Sequence, residues 1–299
     1  MHSAPNVKVI FRIFMLIDLH SHTKASDGQL TPSELVQRAE NRQVHFLAIT
    51  DHDTVDGLVE ATQYIQDNEL KLQLINGIEV TTNWLNHEIH VVGLNIDPTH
   101  PALVELIEIQ KEKREQRAIE MGRRLAKANI DNVYEGAKAL AGDGAITRAH
   151  FARYLVEIGV APTFPKVFDK YLSRGNTGYV PHDWIDLTNA IEVIQAAGGQ
   201  AVLAHPDAYS LSNKWLRKLL ITFKAAGGDA MEVAIGQQSP QMRLQLGMWS
   251  QEYNLLASQG SDFHFVGRWR DLGKSLFLPD ICQPIWHNWD LGQHSAMSS

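Results

Sequence analysis

Short apolar runs alternate with helical stretches in two parts of this chain, and this alternation limits its possible folds more than any other feature. The first part runs from Met15 to about Ile96, and the pattern resumes at Gln200. The apolar runs are nearly continuous, which is typical of buried parallel strands connected by helices. The sequence therefore predicts an α/β architecture built on a parallel sheet.

The same alternation predicts the individual elements. A helix begins at Thr31-Pro32-Ser33-Glu34, a capping box with proline in the first turn. Strands are predicted at residues 44–50, 72–75, 78–81, 89–94, 201–204, 230–235 and 255–258, and further helices at 216–226 and 240–252. We interpret residues 1–14 as an extended first strand rather than a secretory signal, with Met15 as an alternative start of translation. The residues from Trp286 onward show no periodic pattern and are expected to form a frayed tail.

Between Asp97 and Asp186 helix follows helix, and we interpret this stretch as an insertion. The predicted organisation is a discontinuous catalytic barrel at residues 15–96 and 187–285, with a helical substrate-binding or lid domain at 97–186. The long helix predicted at 103–129 mixes basic residues with Glu, which predicts a solvated, ion-paired face.

Charge and cysteine content exclude several kinds of function. The chain has 34 Asp and Glu against 27 Lys and Arg, and this net charge of −7 disfavours binding of a long polyanion such as duplex DNA. A single cysteine, Cys282, permits neither an intramolecular disulfide nor a thiolate metal cage, which predicts a cytoplasmic protein. No apolar run reaches the ~20 residues of a membrane span, so no membrane association is expected.

Residues able to bind metal ions lie at or just after several predicted strands. There are nine of them: His20, His22, Asp27, His52, Glu79, His90, His205, Asp262 and His264. Because the carboxyl ends of strands in α/β barrels form one mouth, these side chains are expected to converge there. They are too many for one four-coordinate ion and contain no thiolate, so they predict two or three ions of Mn²⁺, Fe²⁺ or Zn²⁺.

Each motif alone has a simpler interpretation. His20-x-His22 could serve surface or capping roles, and Asp51-His52-Asp53 could be a turn with side-chain hydrogen bonds. His205 could be a satisfied core histidine before a rigid turn, and Asp262 could cap a helix. None of these alternatives explains why the motifs recur at strand ends, so we predict a multinuclear metal site.

Together the motifs resemble those of the PHP (polymerase and histidinol phosphatase) family. The matching segments are Asp18-Leu19-His20-Ser21-His22, Thr50-Asp51-His52-Asp53, Gly77-Ile78-Glu79, Ala204-His205-Pro206 and Ser261-Asp262-Phe263-His264, with Asp27 and His90. The resemblance implies a distorted (β/α)7 barrel with three metal ions. It implies one ion at His20, His22, Glu79 and Asp262, a second at Glu79, His90 and His205, and a third at Asp27, His52 and His264.

The resemblance also implies phosphoester hydrolysis by a hydroxide shared between two ions, with manganese as the expected metal. The insertion resembles that of a branch containing 3′,5′-nucleotide bisphosphate phosphatases and 5′→3′ exoribonucleases, in which it covers the barrel mouth. The expected substrate is therefore a small nucleotide phosphate or the 5′ end of a short RNA. The alternatives are an amidohydrolase-like enzyme acting on a non-nucleotide substrate, a histidinol-phosphatase-like phosphomonoesterase, and a non-enzymatic module of this family.

Further candidates lie near these motifs. Asp51 and Asp53 flank a ligand and are the catalytic candidates, as orienting partners of imidazoles or as a proton acceptor, with turn capping as the alternative. The candidates for substrate binding are Arg148, His150, Arg268 and Arg270, with a solvated surface position as the alternative for each arginine. Four aromatic residues could stack on a base, although packing is their default role: Trp84, Phe164, Tyr179 and Trp269.

Overall fold

The computed structural model describes residues 15–267 and 270–290. The strand predicted at residues 1–14 lies outside the described residues, as do Arg268 and Trp269.

In the described residues eight strands form a barrel-like sheet, and seven of them follow one another around it, as the family resemblance implies. The strands are β1 (Ile17–Asp18), β2 (Phe46–Ile49), β3 (Gln73–Trp84), β4 (His87–Leu94), β5 (Ile185–Asp186), β6 (Gln200–Leu203), β7 (Ala230–Ile235) and β8 (Leu256–Gly260). The order around the barrel is β1-β2-β3-β4-β6-β7-β8, and β5 pairs with β3 off this path. The backbone N–H of Leu19 donates to the carbonyl oxygen of Gln259 at 3.1 Å. A parallel bridge joins Ser21 to Phe263, so the last strand meets the first.

Nine α-helices lie in the described ranges. They are α1 (Pro32–Asn41), α2 (Gly57–Asp67), α3 (Pro101–Ala126), α4 (Val133–Ala141), α5 (Arg148–Glu157), α6 (Phe164–Val167), α7 (Leu187–Ala196), α8 (Asn213–Ala225) and α9 (Pro240–Glu252). A π-helical turn over Phe168–Leu172 continues α6. The predicted capping box is confirmed, because Thr31 and Glu34 exchange both of its hydrogen bonds at the start of α1. None of the described helices has the length and apolar character required to cross a membrane.

The hairpin of β3 and β4 departs from the predicted all-parallel sheet. Strand β4 runs antiparallel to both β3 and β6, and β3 is one strand where two were predicted. The connecting residues Leu85 and Asn86 have positive φ angles of 48° and 64°. Two-residue turns with positive φ match the twist of paired strands. The amino-terminal half of β4 therefore lies at the same barrel edge as the carboxyl ends of the parallel strands, and this brings His90 to the mouth.

The barrel interior is filled by an apolar cluster. It comprises Ile17, Leu19, Phe46, Ala48, Val92, Leu94, Val202, Ala204, Ala230 and Ile285. Ile285 begins a short 3₁₀ helix that ends at Asn288, and Trp286 and Trp289 pack against the same cluster. The prediction of a frayed tail from Trp286 was therefore wrong for residues 286–290, since two tryptophans anchor the segment to the barrel; residues 291–299 lie outside the described part.

The helices between β4 and β5 contain a buried cluster of their own. It includes Met121, Leu125, Phe151, Leu155 and Val167. The first half of α3 instead packs against the barrel through Leu103 and Leu106. Helix α3 thus contributes to both cores. The predicted domain limits at 97 and 186 stay a prediction.

Candidate metal centre

The nine predicted ligand residues converge at one end of the barrel. His20, His22 and Glu79 are fully buried, whereas the side chain of His264 is 21% exposed. They come from segments far apart in the sequence that follow β1, β2, β6 and β8, and from the β3–β4 hairpin. The mouth of the barrel therefore contains a compact set of imidazoles and carboxylates.

Glu79 lies at the centre of this set. Its Oε1 is 3.0 Å from Nδ1 of His90 and 2.9 Å from Nε2 of His205. Its Oε2 is 2.9 Å from Nδ1 of His52 and 3.4 Å from the Nε2 atoms of both His20 and His22. One carboxylate thus contacts five imidazoles, which is the arrangement expected of a group shared between metal ions.

Asp262 completes one side of the cluster. Its Oδ1 is 3.7 Å from Nε2 of His20 and 3.4 Å from Nε2 of His22. The same two Nε2 atoms are 3.0 Å apart. The predicted ligand set of His20, His22, Glu79 and Asp262 is therefore brought together in space.

Asp27 forms the other side of the cluster. Its Oδ1 is 3.3 Å from Nε2 of His264, and its Oδ2 is 3.9 Å from Nε2 of His52. The potential ligand atoms of His22, Asp27, His52 and His264 all lie within 4.8 Å of one another. Two further groups meet the same distance limit, His20 with His22 and Glu79, and His52 with Glu79 and His90. The groups share His22, His52 and Glu79, so the cluster is continuous.

The pKa values reflect this crowding. Burial raises the pKa of Glu79, but the imidazoles of His52, His20 and His90 outweigh it and hold the pKa well below its usual range. Burial lowers the pKa of His90, yet the Glu79 and Glu88 carboxylates raise it to about 10. Burial and the neighbouring His264 and His52 lower the pKa of His22 to about 3. Glu79 is therefore held as a carboxylate anion, and its charge would compensate that of a cation bound in the cluster.

Several ligand atoms fit a divalent ion better than a hydrogen bond. In the described residues, Oδ1 of Asp27, Oε2 of Glu79 and Nδ1 of His52 are buried and make no hydrogen bond of suitable angle, although the last two atoms lie only 2.9 Å apart. Buried polar atoms are normally hydrogen-bonded, and ions are a common reason for exceptions. Imidazole and carboxylate groups are also ligands suited to Mn²⁺, Fe²⁺ and Zn²⁺. The residues present therefore fit such ions.

Glu232 also contacts the ligand cluster, and the sequence analysis did not identify it. It lies on β7 and is 1% exposed. Its Oε1 is 2.8 Å from Nδ1 of His20, and its Oε2 accepts a hydrogen bond from the backbone N–H of His205 at 2.6 Å. Because a carboxylate only accepts, it keeps the His20 proton on Nδ1 and directs Nε2 into the cluster. The signal available in the sequence was one charged residue inside the apolar run Ala230–Ile235.

Asp51 and Asp53 both accept hydrogen bonds that position the mouth of the barrel. Asp51 accepts hydrogen bonds from Thr23 Oγ1 at 2.6 Å and from Ser26, so it holds the loop that carries Asp27. Asp53 accepts from Arg114 Nε at 2.8 Å. Asp51 thus positions the loop of Asp27, and Asp53 fastens helix α3 to the barrel. Their predicted catalytic roles stay a prediction.

A cavity of about 600 Å³ lies beside the cluster. Its lining includes the ligand candidates Asp27, His52, His90 and His264. The rest of the lining comes mainly from the inserted helices and the segment after them, with arginine and aromatic side chains: Arg114, Arg117, Arg148, Arg153, Phe164, Phe168 and Trp184. This volume suits a small organic ligand.

The four residues predicted to bind substrate have different surroundings. Arg148 lines the cavity, with its side chain 32% exposed and ion-paired to Glu88. His150 is buried and accepts a hydrogen bond from the backbone N–H of Thr147 at 3.1 Å, which caps α5. Arg270 donates to the backbone oxygen of Asp262 at 3.1 Å. Arg268 lies outside the described residues.

Two arginines of α3 differ from the predicted solvated face. The side chains of Arg114 and Arg117 are only 8% and 10% exposed, and both line the cavity. Arg123 and Arg124 do form the expected surface ion pairs with Glu120. The sequence pattern gives the composition of the helix but not which face meets the barrel, and this is why the two cavity arginines were missed.

Comparisons with known proteins agree with this geometry. The PHP domain family matches residues 18–179. The 5′-3′ exoribonuclease Rnm of Escherichia coli is 52% identical over 282 residues, covering 94% of this chain and 96% of the relative. The 3′,5′-nucleoside bisphosphate phosphatase of Chromobacterium violaceum is 42% identical over 272 residues, covering 90% of this chain and 95% of the relative.

A solved structure shares the fold. It is described as an amidohydrolase from Chromobacterium violaceum with bound sulfate and no metal, and it is 42% identical to this chain with a TM-score of 0.85. The match covers 91% of this chain and 94% of the solved chain. The predicted fold class is therefore confirmed by an experimental relative.

Proposed function

Since this chain belongs to the PHP family and is a metal-dependent phosphoesterase, we propose that it acts on nucleotides. The proposed reactions are release of the 3′-phosphate from 3′,5′-nucleotide bisphosphates and removal of nucleotides from the 5′ end of short RNA. In both substrates the bond between the 3′ oxygen and phosphorus would break. One pocket for a nucleoside 5′-phosphate would therefore serve both reactions.

The single observation that carries this proposal is the composition of the cavity. Its ligand candidates would face the phosphate that reacts, while the arginines of the same cavity would neutralise a second phosphate. Phe164 and Phe168, whose ring centroids are 5.3 Å apart, offer aromatic surface of the kind on which bases stack. We propose that the helical segment 97–186 is the substrate-binding unit, because α3, α5 and α6 supply most of the arginine and aromatic lining of the cavity.

The residues at the mouth would have different roles, some as metal ligands and others as groups that position those ligands. We assign His20, His22, Glu79 and Asp262 to one ion, Glu79, His90 and His205 to a second, and Asp27, His52 and His264 to a third. Such ions, Mn²⁺ in our proposal, lower the pKa of water and neutralise phosphoryl oxygens when bound. Glu232 would orient His20, and Asp51 would hold the loop of Asp27.

The proposal is tested by measuring phosphate release from adenosine 3′,5′-bisphosphate by Mn²⁺-reconstituted protein. The same assay would include 3′-AMP, 5′-AMP, a 5′-phosphorylated RNA tetramer and an N-acyl amino acid. We expect phosphate release from the bisphosphate but not from 5′-AMP, and stepwise formation of 5′-mononucleotides from the RNA. Hydrolysis of the amide alone would overturn the proposal and favour the amidohydrolase alternative.

Arg148 is expected to bind the 5′-phosphate. Replacing it with alanine should lower kcat/KM for adenosine 3′,5′-bisphosphate by about 10- to 150-fold, because hydrogen bonds to charged groups contribute about 1.5–3 kcal/mol. The value for 3′-AMP, which lacks the 5′-phosphate, should change by less than about threefold on the same reasoning. Steady-state kinetics of both substrates with both proteins would separate this contact from a general loss of activity.

Arg123 offers a matched control for this comparison. It is an exposed arginine paired to Glu120, and its replacement by alanine should leave both substrates unaffected. Equal losses for the two substrates in the Arg148→Ala variant would mean that Arg148 supports the fold of the mouth rather than binding the 5′-phosphate.

A further inference from the structure

Three aromatic rings meet on the barrel rim outside the cavity. Trp84 and His87 flank the turn of the β3–β4 hairpin, and Trp215 lies in the first turn of α8. The ring centroids of Trp84 and Trp215 are 6.0 Å apart, and those of His87 and Trp215 are 5.9 Å apart. Trp84 is buried, but Trp215 is 41% exposed, so this group presents an open aromatic surface.

The helix that carries Trp215 is basic. Its sequence contains Lys214, Arg217, Lys218 and Lys224 and no acidic residue, although the whole chain has a net charge of −7. Arg217 pairs with Glu252 at 2.9 Å, whereas Nζ of Lys218 lies 4.9 Å above the Trp215 ring. We define the rim surface as Trp84, His87, Lys214, Trp215 and Lys218. It combines positive charge with exposed aromatic area, as single-strand binding sites do.

The rim surface is close to the candidate metal centre along two elements. His87 precedes His90 by three residues of β4, about 10 Å of extended strand. The segment that leads from His205 to α8 contains Tyr209, whose hydroxyl accepts from the backbone N–H of His90 at 2.9 Å and donates to the Ala204 oxygen at 2.8 Å. Tyr209 thus ties the start of α8 to the hairpin, beside two of the proposed ligands.

We propose that the rim surface binds single-stranded RNA on the 3′ side of the nucleotide held in the cavity. The inference rests on the proposed function, since it requires a chain whose first linkage lies at the metal centre. The basic residues complement the phosphates, and Trp215 offers a face for a base without selecting its identity. A mononucleotide does not extend to this surface, so the rim surface distinguishes RNA from nucleotide bisphosphates as substrates.

The test compares Trp215→Ala with the wild-type protein on substrates of increasing length. Stacking contributes about 1–3 kcal/mol per base, so kcat/KM for a 5′-phosphorylated hexanucleotide should fall about 5- to 150-fold, through KM. The values for adenosine 3′,5′-bisphosphate should stay within about twofold of wild type, because this substrate ends at the cavity. Phe277→Ala, which truncates another exposed aromatic residue, should leave every substrate unaffected. Equal losses for the bisphosphate and the hexanucleotide would overturn the proposal.

A binding measurement separates this proposal from the proposed function. The probe is a fluorescent 5′-phosphorylated hexa-adenylate whose linkages are phosphorothioates, titrated by anisotropy with the metal-loaded protein. Weaker binding by Trp215→Ala and by Lys214→Ala/Lys218→Ala would support the rim surface even if the bisphosphate is not hydrolysed. Unchanged affinity would overturn the proposal. So would a change of oligomeric state in light scattering without a change in RNA affinity, since the surface would then contact a second copy of the chain.

Discussion

Replacing Glu79 with glutamine is expected to lower phosphate release at least about a thousandfold, because metal ions supply several kcal/mol of transition-state stabilisation and each 1.36 kcal/mol is tenfold in rate. The two carboxylate oxygens of Glu79 contact five imidazoles, and an amide nitrogen in place of one oxygen cannot bind a cation. Metal content per chain, measured by mass spectrometry, should fall with the activity.

Thermal unfolding offers an independent measure of the same change. Ions that bind only the folded wild-type protein should stabilise it by about 2.7 kcal/mol at a metal concentration of 100 Kd, and the variant should lose most of this gain. Glu252→Gln, which removes a surface carboxylate paired to Arg217, is the matched control and should retain both metal and activity. Full metal content in Glu79→Gln would show that the ions are held without this carboxylate.

Replacing Arg114 with alanine is expected to destabilise the protein by about 3–5 kcal/mol, because it leaves the buried carboxylate of Asp53 without its ion-pair partner. The side chains of Arg114 and Asp53 are 8% and 0% exposed, and Arg114 also donates to Thr81 Oγ1 at 2.7 Å. The free energy of unfolding, from urea denaturation, measures this loss. The effect should be far larger than that of Arg123→Ala, since that arginine is exposed to solvent.

A double variant distinguishes charge burial from packing. Arg114→Met combined with Asp53→Asn removes both charges while keeping side-chain volume, and it should be more stable than Arg114→Ala alone. If the single and double variants were equally unstable, the loss would come from the packing of α3 on the barrel and not from the uncompensated carboxylate.

Much of the candidate metal centre could be predicted from the sequence because its residues occur in short motifs at the ends of strands. His20-x-His22 and Asp262-x-His264 are short motifs at strand ends, and strand ends meet at the mouth of a barrel. The capping box at Thr31 is likewise encoded within four residues. Such features need only the spacing of neighbouring residues.

The remaining features depend on tertiary contacts. The turn at Leu85 and Asn86 adopts positive φ at a leucine, for which the sequence gives little signal, so the antiparallel course of β4 was missed. Which residues of α3 face the cavity depends on how the helix sits on the barrel, and this is why Arg117 was expected in solvent. Glu232 acquires its role only because β7 lies beside the segments of His20 and His205.

The meeting of the first and last strands of the barrel has a consequence for biosynthesis. The contacts of Leu19 with Gln259 and of Ser21 with Phe263 join segments about 240 residues apart, and they place His20 and His22 beside Asp262. Contacts of such long sequence separation form slowly and require most of the chain to have been synthesised. A nascent chain on the ribosome therefore lacks the assembled cluster until β8 has emerged, and the proposed binding of metal by these residues would report that the barrel has closed.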